Sequence, residues 1–260
     1  MTRVPALLLC LCALAPAFAP QTAFTDAGAR AIIAPAGGSV LHYGAEWRMM
    51  RAGEARLALT APSESLGRYQ ADLELRTTGV VASLYKVDNT YSALFDEQFC
   101  AGSTLMLTRE SKKRRETRVT FNQPPGKASY LERDLVKDEI VSTRDIDVPP
   151  CVHDVLAGLV RLRALAPEPG QTVQWPLSDG KKSVLARITA MRRETVKTHA
   201  GEHRTLRYEA FLFNDVLYRR KGRLFVWLTD DARRLPVQIR IQLPFYLGTI
   251  TLKLEKEEPS

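Results

Sequence analysis

The sequence is poor in the residues from which most reactive centres are built. It holds four Cys and four His in 260 residues, too few for a metal cluster unless they converge. His199 and His203 stand four apart, but Gly201 lies between them in a turn-like stretch and no third ligand is near in sequence, so no metal site is expected. There is no Gly-x-Ser-x-Gly elbow, no phosphate-binding glycine loop and no dinucleotide fingerprint, so neither a cofactor nor a catalytic residue is expected. Aromatic residues do not interleave with the basic ones, which excludes nucleic acid as a partner despite a net charge of +8. After residue 19 no apolar run approaches the ~20 residues that cross a bilayer, so no transmembrane span is expected in the mature chain.

What is present begins with an address. Met1 to Ala19 carries Arg3, then Leu7 to Leu14, then small residues, the layout of a secretory signal peptide. Ala17-x-Ala19 fits cleavage after Ala19, although Pro20 suits that position poorly and cleavage after Ala17 is an alternative. Residues 20–39 are rich in Ala, Gly, Pro and Thr and read as a linker. Cys100 and Cys151 then remain in a chain bound for an oxidising compartment, and a disulfide between them is the economical reading, with two separate buried thiols as the alternative.

From Val40 onward the apolar residues alternate. Leu41, Tyr43, Ala45 and Trp47 pair with Ala55, Leu57 and Leu59 as a hairpin with its turn at Arg51-Ala52-Gly53. Tyr69 to Leu75 gives a third strand, and Ala82 to Phe95 a fourth. Further strands fit 104–109, 115–121, 127–133, 139–145, 172–177, 183–191, 194–198 and 203–213, with a closing meander over Gly222–Lys256. Between Pro150 and Pro167 the period changes: Val152, Val155, Leu156, Leu159 and Leu162 follow helical spacing. The fold expected is all-β: a strongly curved antiparallel, barrel-like sheet of about fourteen strands in a single domain over 40–257, with one helix plugging or covering the opening.

Three groups of residues could carry function. The hairpin bearing Arg109, Lys112, Lys113, Arg114, Arg115 and Arg118 could meet anionic headgroups or polysaccharide, or simply be a solvated tip. Asp230 and Asp231 are the one paired-carboxylate candidate, but Arg233 and Arg234 stand beside them and Asp favours turns, so a structural turn is expected. His153-Asp154 opens the helix, where an acid is explained by the helix dipole. Ala52-Gly53-Glu54 and Ala200-Gly201-Glu202 resemble each other as two hairpin turns would.

Leu41-x-Tyr43-x-x-x-Trp47 with Ala52-Gly53, Leu84 to Asp88, Cys151 to Arg163, and above all Trp227-Leu-Thr-Asp-Asp-x-Arg-Arg-Leu-Pro-Val237 resemble the bacterial exported family known as domain of unknown function 3108, over roughly Val40 to Leu254. The resemblance implies a secreted or periplasmic β protein with a curved sheet similar to envelope proteins of the lipoprotein-carrier type, and supplies no catalytic residues. The function expected is that of an exported, non-enzymatic envelope protein whose sheet could hold a lipid, lipoprotein acyl chain or glycan precursor against Tyr43, Trp47, Leu75, Tyr208 and Trp227. A structural or interaction module of the envelope is the alternative, and a hydrolase using Asp230 or Asp231 is third.

Overall fold

The structure, a computed structural model, describes residues 39–60 and 68–259. The leader and nearly all of the proposed linker lie outside these residues. Fourteen strands form one antiparallel sheet: β1 (Ser39–Trp47), β2 (Met50–Thr60), β3 (Tyr69–Thr77), β4 (Asp88–Phe95), β5 (Ala101–Glu110), β6 (Lys113–Asn122), β7 (Lys127–Asp134), β8 (Glu139–Asp147), β9 (Thr172–Ser178), β10 (Ser183–Thr198), β11 (Gly201–Phe211), β12 (Arg223–Thr229), β13 (Pro236–Gln242) and β14 (Thr249–Pro259). Helix α1 (Gly79–Leu84) joins β3 to β4, and α2 (Val155–Leu165) joins β8 to β9. The strand order is β8-β7-β6-β5-β4-β3-β2-β1-β14-β13-β12-β11-β10-β9. Two up-and-down meanders thus meet where the first strand pairs with the last, and β8 and β9 are the edges.

The alternation read from the sequence decides which face is covered. Leu41 pairs with Leu57, Leu57 with Leu73, and Leu73 with Tyr91, so these side chains share the inner face. Helix α2 lies against this face. Its Leu156, Ala157, Val160 and Ala164 belong to the core cluster lined by β1–β4, while Leu162 belongs to the cluster lined by β9–β12. A helix that is apolar on several sides can be stable only when it is covered on several sides, and the curl of the sheet supplies that cover. Gly158 lets the helix close on β9: a Cβ there would stand 3.2 Å from a Leu177 methyl.

The inner face of β6 and β7 is filled differently. The β9–β10 turn reaches across the opening so that Gly180, with φ +83°, sits on Val119 and Tyr130; a Cβ at this position would come within 2.6 Å of Val119. Lys181 lies over the Tyr130 ring at 4.6 Å and approaches Glu132 at 3.5 Å. Between the two edges the chain closes part of the gap, because His153 bridges Leu177 in parallel and the Val152 carbonyl accepts from the Ala101 amide.

Three local expectations need correction. The first hairpin turns at Arg48 and Met49, both with positive φ (50° and 67°), and not at Arg51–Gly53. Gly53 is inside β2, where a Cβ would lie 2.2 Å from the Arg76 carbonyl oxygen. It is therefore a close-approach glycine, whereas Gly201 opens β11, and the similarity of the two Ala-Gly-Glu segments does not reflect two equivalent turns. Residues 82–87 do not belong to β4, since 79–84 form α1, a second helix. The segments 183–191 and 194–198 are one strand, β10, with a register shift between Ala190 and Arg193 where it pairs β11.

Candidate functional site

Of the five residues expected to line a ligand groove, the structure buries three within packed core. Tyr43 donates its hydroxyl to the Pro236 carbonyl at 2.7 Å, and Tyr208 donates to the Pro167 carbonyl at 3.2 Å. Burial pushes both phenols far above their ordinary range. Trp227 pairs with Arg207 and Gln238, so it occupies the face opposite to Tyr208, Val226 and Ile239. Its indole donates to Glu194 at 2.7 Å, and Arg207 and Arg240 lie over its ring. Leu75 is half-buried against the core. Trp47 is at the end of β1, where its indole donates to the Leu247 carbonyl at 2.7 Å and Arg48 covers its ring at 5.2 Å. The five do not converge on one pocket.

Two hollows among the described residues are open to solvent. One, of about 350 Å³, is lined by Arg68, Asp96, Cys100 and the 121–124 turn; the other, of about 140 Å³, lies over His42, Arg56, Leu75 and Arg76. The larger adjoins the disulfide between Cys100 and Cys151, which ties the β4–β5 turn to the segment leading into α2.

The Asp-Asp-x-Arg-Arg segment is the receptor for one end of α2. Asp231 accepts from the Thr229 hydroxyl at 2.8 Å and from the amides of Arg233 and Arg234 at 2.9 and 3.1 Å, which fixes the turn between β12 and β13. The hydrogen bonds from Thr229 and these amides hold its carboxyl below the ordinary range even though burial opposes them. The turn presents Arg234 to the open carbonyls at the C-terminal end of the helix, donating to those of Arg163 and Ala164 at 3.1 and 2.7 Å. Arg163 reciprocates from the helix, donating to the carbonyls of Arg234 and Arg233 at 3.0 and 3.2 Å. Burial lowers the Arg163 pKa to about 10, still far above neutrality. Asp230 instead pairs with Arg193 at 3.0 Å. The two carboxylates therefore have separate partners and share no site.

At the other end of α2, Asp154 is wholly buried and caps the helix by accepting from the Leu156 and Ala157 amides at 2.7 and 3.3 Å. Its second oxygen has no partner, and burial raises its pKa to about 6. His153, buried beside it, donates from Nδ1 to the Pro176 carbonyl and accepts at Nε2 from Arg161 at 3.0 Å. Burial first, and then the Arg161 charge, lowers its pKa to about 4. The imidazole is therefore neutral, locked in one tautomer and walled off from solvent.

The basic hairpin divides. Arg115 turns to the inner face and pairs with Glu132 at 2.8 Å and Asp134 at 3.5 Å. Arg118 is exposed and pairs with Glu116; Arg114 donates to carbonyls of its own hairpin; Arg109 stands 3.9 Å from Asp88. Lys112 and Lys113 project from the exposed tip. Among the described residues no group of His, Cys, Asp and Glu is arranged to hold a metal ion, and His203 meets the Thr198 hydroxyl at 3.2 Å.

Residues 41–255 match the family described as "Protein of unknown function (DUF3108)". The chain belongs to this family. A search of curated proteins finds no match. Among solved structures, the DUF3108 chain is similar to a β-barrel-like protein of family DUF1849 from Brucella abortus, with TM-score 0.57 and 10% identity over 86% of this chain and 98% of that one. That likeness shows the fold: a barrel-like curved sheet. Two weaker likenesses are to a protein from Bacteroides fragilis described as exported with a YmcC-like fold (TM-score 0.38, 8% identity, 87% and 98% covered) and to one from Parabacteroides distasonis described as a lipoprotein (TM-score 0.39, 9% identity, 87% and 98% covered).

The DUF3108 sheet has one surface feature that the sequence reading passed over. Because neighbouring strands alternate in direction, the turns β1–β2, β3–β4, β5–β6, β7–β8, β9–β10, β11–β12 and β13–β14 gather at one end of the sheet. Met49 (94% exposed), Phe245 (97%), Tyr246 (73%), Val80 (78%) and Leu84 (77%) all project from this rim. Pro244-Phe245 reads in sequence only as a break between strands. The signal lies in apolar residues placed at turns, and it becomes visible once the turns are known to share one end.

Proposed function

We propose that the protein is an exported, periplasmic, non-enzymatic interaction module of the bacterial cell envelope, with a leader over 1–19, a linker over 20–39 and one β domain over 40–257. It works through its outer rim and does not carry cargo in its interior. The observation that carries this reading is the filling of the sheet: α2 occupies the inner face of one part, and the Gly180 turn that of another. A carrier of a lipid, lipoprotein acyl chain or glycan precursor needs a cavity of several hundred cubic ångströms that encloses most of its ligand. The open hollows and the buried Tyr43, Tyr208 and Trp227 do not supply one. The Cys100–Cys151 bridge is in keeping with an oxidising compartment. The carboxylates that could have served a hydrolase are committed to a turn and an ion pair.

Native mass spectrometry of the protein purified from the envelope tests the reading. The expected spectrum shows the protein chain with no bound small molecule. A stoichiometric lipid or glycan that leaves only on unfolding would overturn it in favour of a carrier.

A further inference from the structure

We infer that the rim formed by these seven turns is a docking face for a lipid bilayer surface containing anionic phospholipid. This rests on the reading of the protein as an interaction module and names its partner. The first observation is position. Every large hydrophobic residue that is exposed among the described residues lies in one of the seven turns or within three residues of one, and none lies at the other end. Scattered exposed apolar residues need no explanation, but their confinement to one end does.

The second observation is charge. The seven turns (48–49, 78–87, 111–112, 135–138, 179–182, 212–222 and 243–248) hold nine Lys or Arg and three Asp or Glu. The described turns joining neighbouring strands at the other end (68, 96–100, 123–126, 199–200 and 230–235) hold three and four. Lys181 and Lys182 are engaged by Glu132 and by the Asp215 and Val216 carbonyls, Arg48 by the Phe245 and Tyr246 carbonyls and Lys137 by Glu139, which leaves Lys86, Lys112, Arg219, Arg220 and Lys221, all exposed, to face a partner. Apolar tips interleaved with cations are the composition of a surface that enters an anionic headgroup layer.

The third is that the rim is built of hydrogen-bonded turns. Arg48 donates to the Phe245 and Tyr246 carbonyls, joining the β1–β2 and β13–β14 turns. The Ser111 amide bonds to the Lys86 carbonyl and joins the β5–β6 turn to the β3–β4 turn, while Thr78 bonds to Ala52 of β2 and Leu135 to Arg114 of β6, so these turns are anchored to their neighbours. The Phe245 loop is closed by bonds from Leu247 and Gly248 to Pro244 and from Leu243 to Gly248. An ordered loop thus holds an aromatic ring out in water. The exposed apolar side chains are spread over several separate turns, a distribution that suits a fluid interface better than the single concave pocket used to seat a peptide or helix.

The test is flotation of the exported chain with vesicles of phosphatidylethanolamine and phosphatidylglycerol, against vesicles of phosphatidylcholine alone. Binding is expected on the anionic vesicles and is expected to weaken as salt rises. Phe245→Ser with Tyr246→Ser should weaken it at least about tenfold, since burying one large apolar side chain is worth roughly that factor or more. Lys112→Gln with Lys113→Gln should weaken it roughly fivefold per cation that meets the surface. Phe245, Tyr246 and Lys112 lie in turns and Lys113 is the exposed first residue of β6, and an unchanged thermal midpoint shows that each variant is folded. Absence of vesicle binding, or equal binding by wild type and the aromatic variant, overturns the inference. Binding to purified peptidoglycan or to an envelope protein, with none to vesicles, overturns it too but leaves the interaction-module reading standing; a copurifying interior ligand would end that reading instead.

Discussion

Replacing Asp154 with Asn should change how stability responds to pH more than it changes stability itself. In the native protein Asp154 titrates at about 6 against an ordinary 3.8, because burial disfavours its charged form. A carboxyl with a raised folded pKa is a burden above pH 6, where it must be ionised, and the burden is lifted as pH falls from about 6 to 3.8. A shift of this size corresponds to about 3 kcal/mol. His153 runs the opposite way. Its pKa is lowered from 6.5 to about 4, so the stability contributed by the neutral imidazole is complete above pH 6.5 and is lost as pH falls through 4, again by about 3 kcal/mol. In the wild type the two slopes nearly cancel between pH 6 and 4. Asn retains the capping oxygen that Leu156 and Ala157 need, abolishes the carboxyl titration and leaves the buried amide nitrogen without a partner, a cost of about 1–3 kcal/mol that offsets the relief of charge near pH 7. Urea unfolding at a series of pH values, taken as the difference between wild type and variant, cancels the other titrating groups. The difference should be small at pH 7 and grow against the variant by about 3 kcal/mol by pH 4. A difference independent of pH would refute the buried-carboxyl account.

Other perturbations follow from the same geometry. Joint Cys100→Ser and Cys151→Ser substitution opens a loop set by a separation of 51 residues and should cost about 4 kcal/mol in the chain-entropy treatment, read as a lower urea midpoint. Arg234→Ala removes donors from two carbonyls at the end of α2 and should cost about 2–4 kcal/mol; a neutral result would mean that water replaces the guanidinium without loss. Asp231→Ala should lower stability by about 2 kcal/mol through loss of the turn bonds and leave vesicle binding unchanged. Gly180→Ala meets Val119 at close range from a left-handed backbone and should destabilise by about 1–3 kcal/mol, whereas the same change at Gly170, which has open space, should show only the backbone part.

The fold was largely legible because a half-buried strand writes its two faces into alternate residues. Leu41 to Trp47 and Leu235 to Leu243 show that plainly, and the switch to helical spacing after Pro150 marks α2 for the same reason. What could not be read was set by contacts distant in sequence. Arg48 and Met49 take left-handed backbone without Gly or Asn, so the first turn carries no local signature, while Gly53 advertises a turn and instead serves a close approach of strands. Trp227 lies in a strand apolar on both faces, and period two cannot say which neighbours each face meets; in the structure Phe225 and Trp227 join one core cluster and Val226 and Leu228 the other. The Asp-Asp-x-Arg-Arg segment was legible as a turn, but its hold on α2 depends on Arg163, some seventy residues earlier. The rim was invisible because each tip offers only one or two apolar residues, and only the strand order brings them to one end.

The claim on which the account rests is that α2 is a permanent part of the interior and not a plug that leaves for a ligand. Native-state amide hydrogen exchange measures this directly. The amides of Val160 to Leu165 should exchange only through global unfolding, with the same free energy and denaturant dependence as those of Leu57 and Val237 in the central strands. Exchange of the helix through a separate, low-energy opening while the strands stay protected would contradict the account and return the interior to use as a binding cavity.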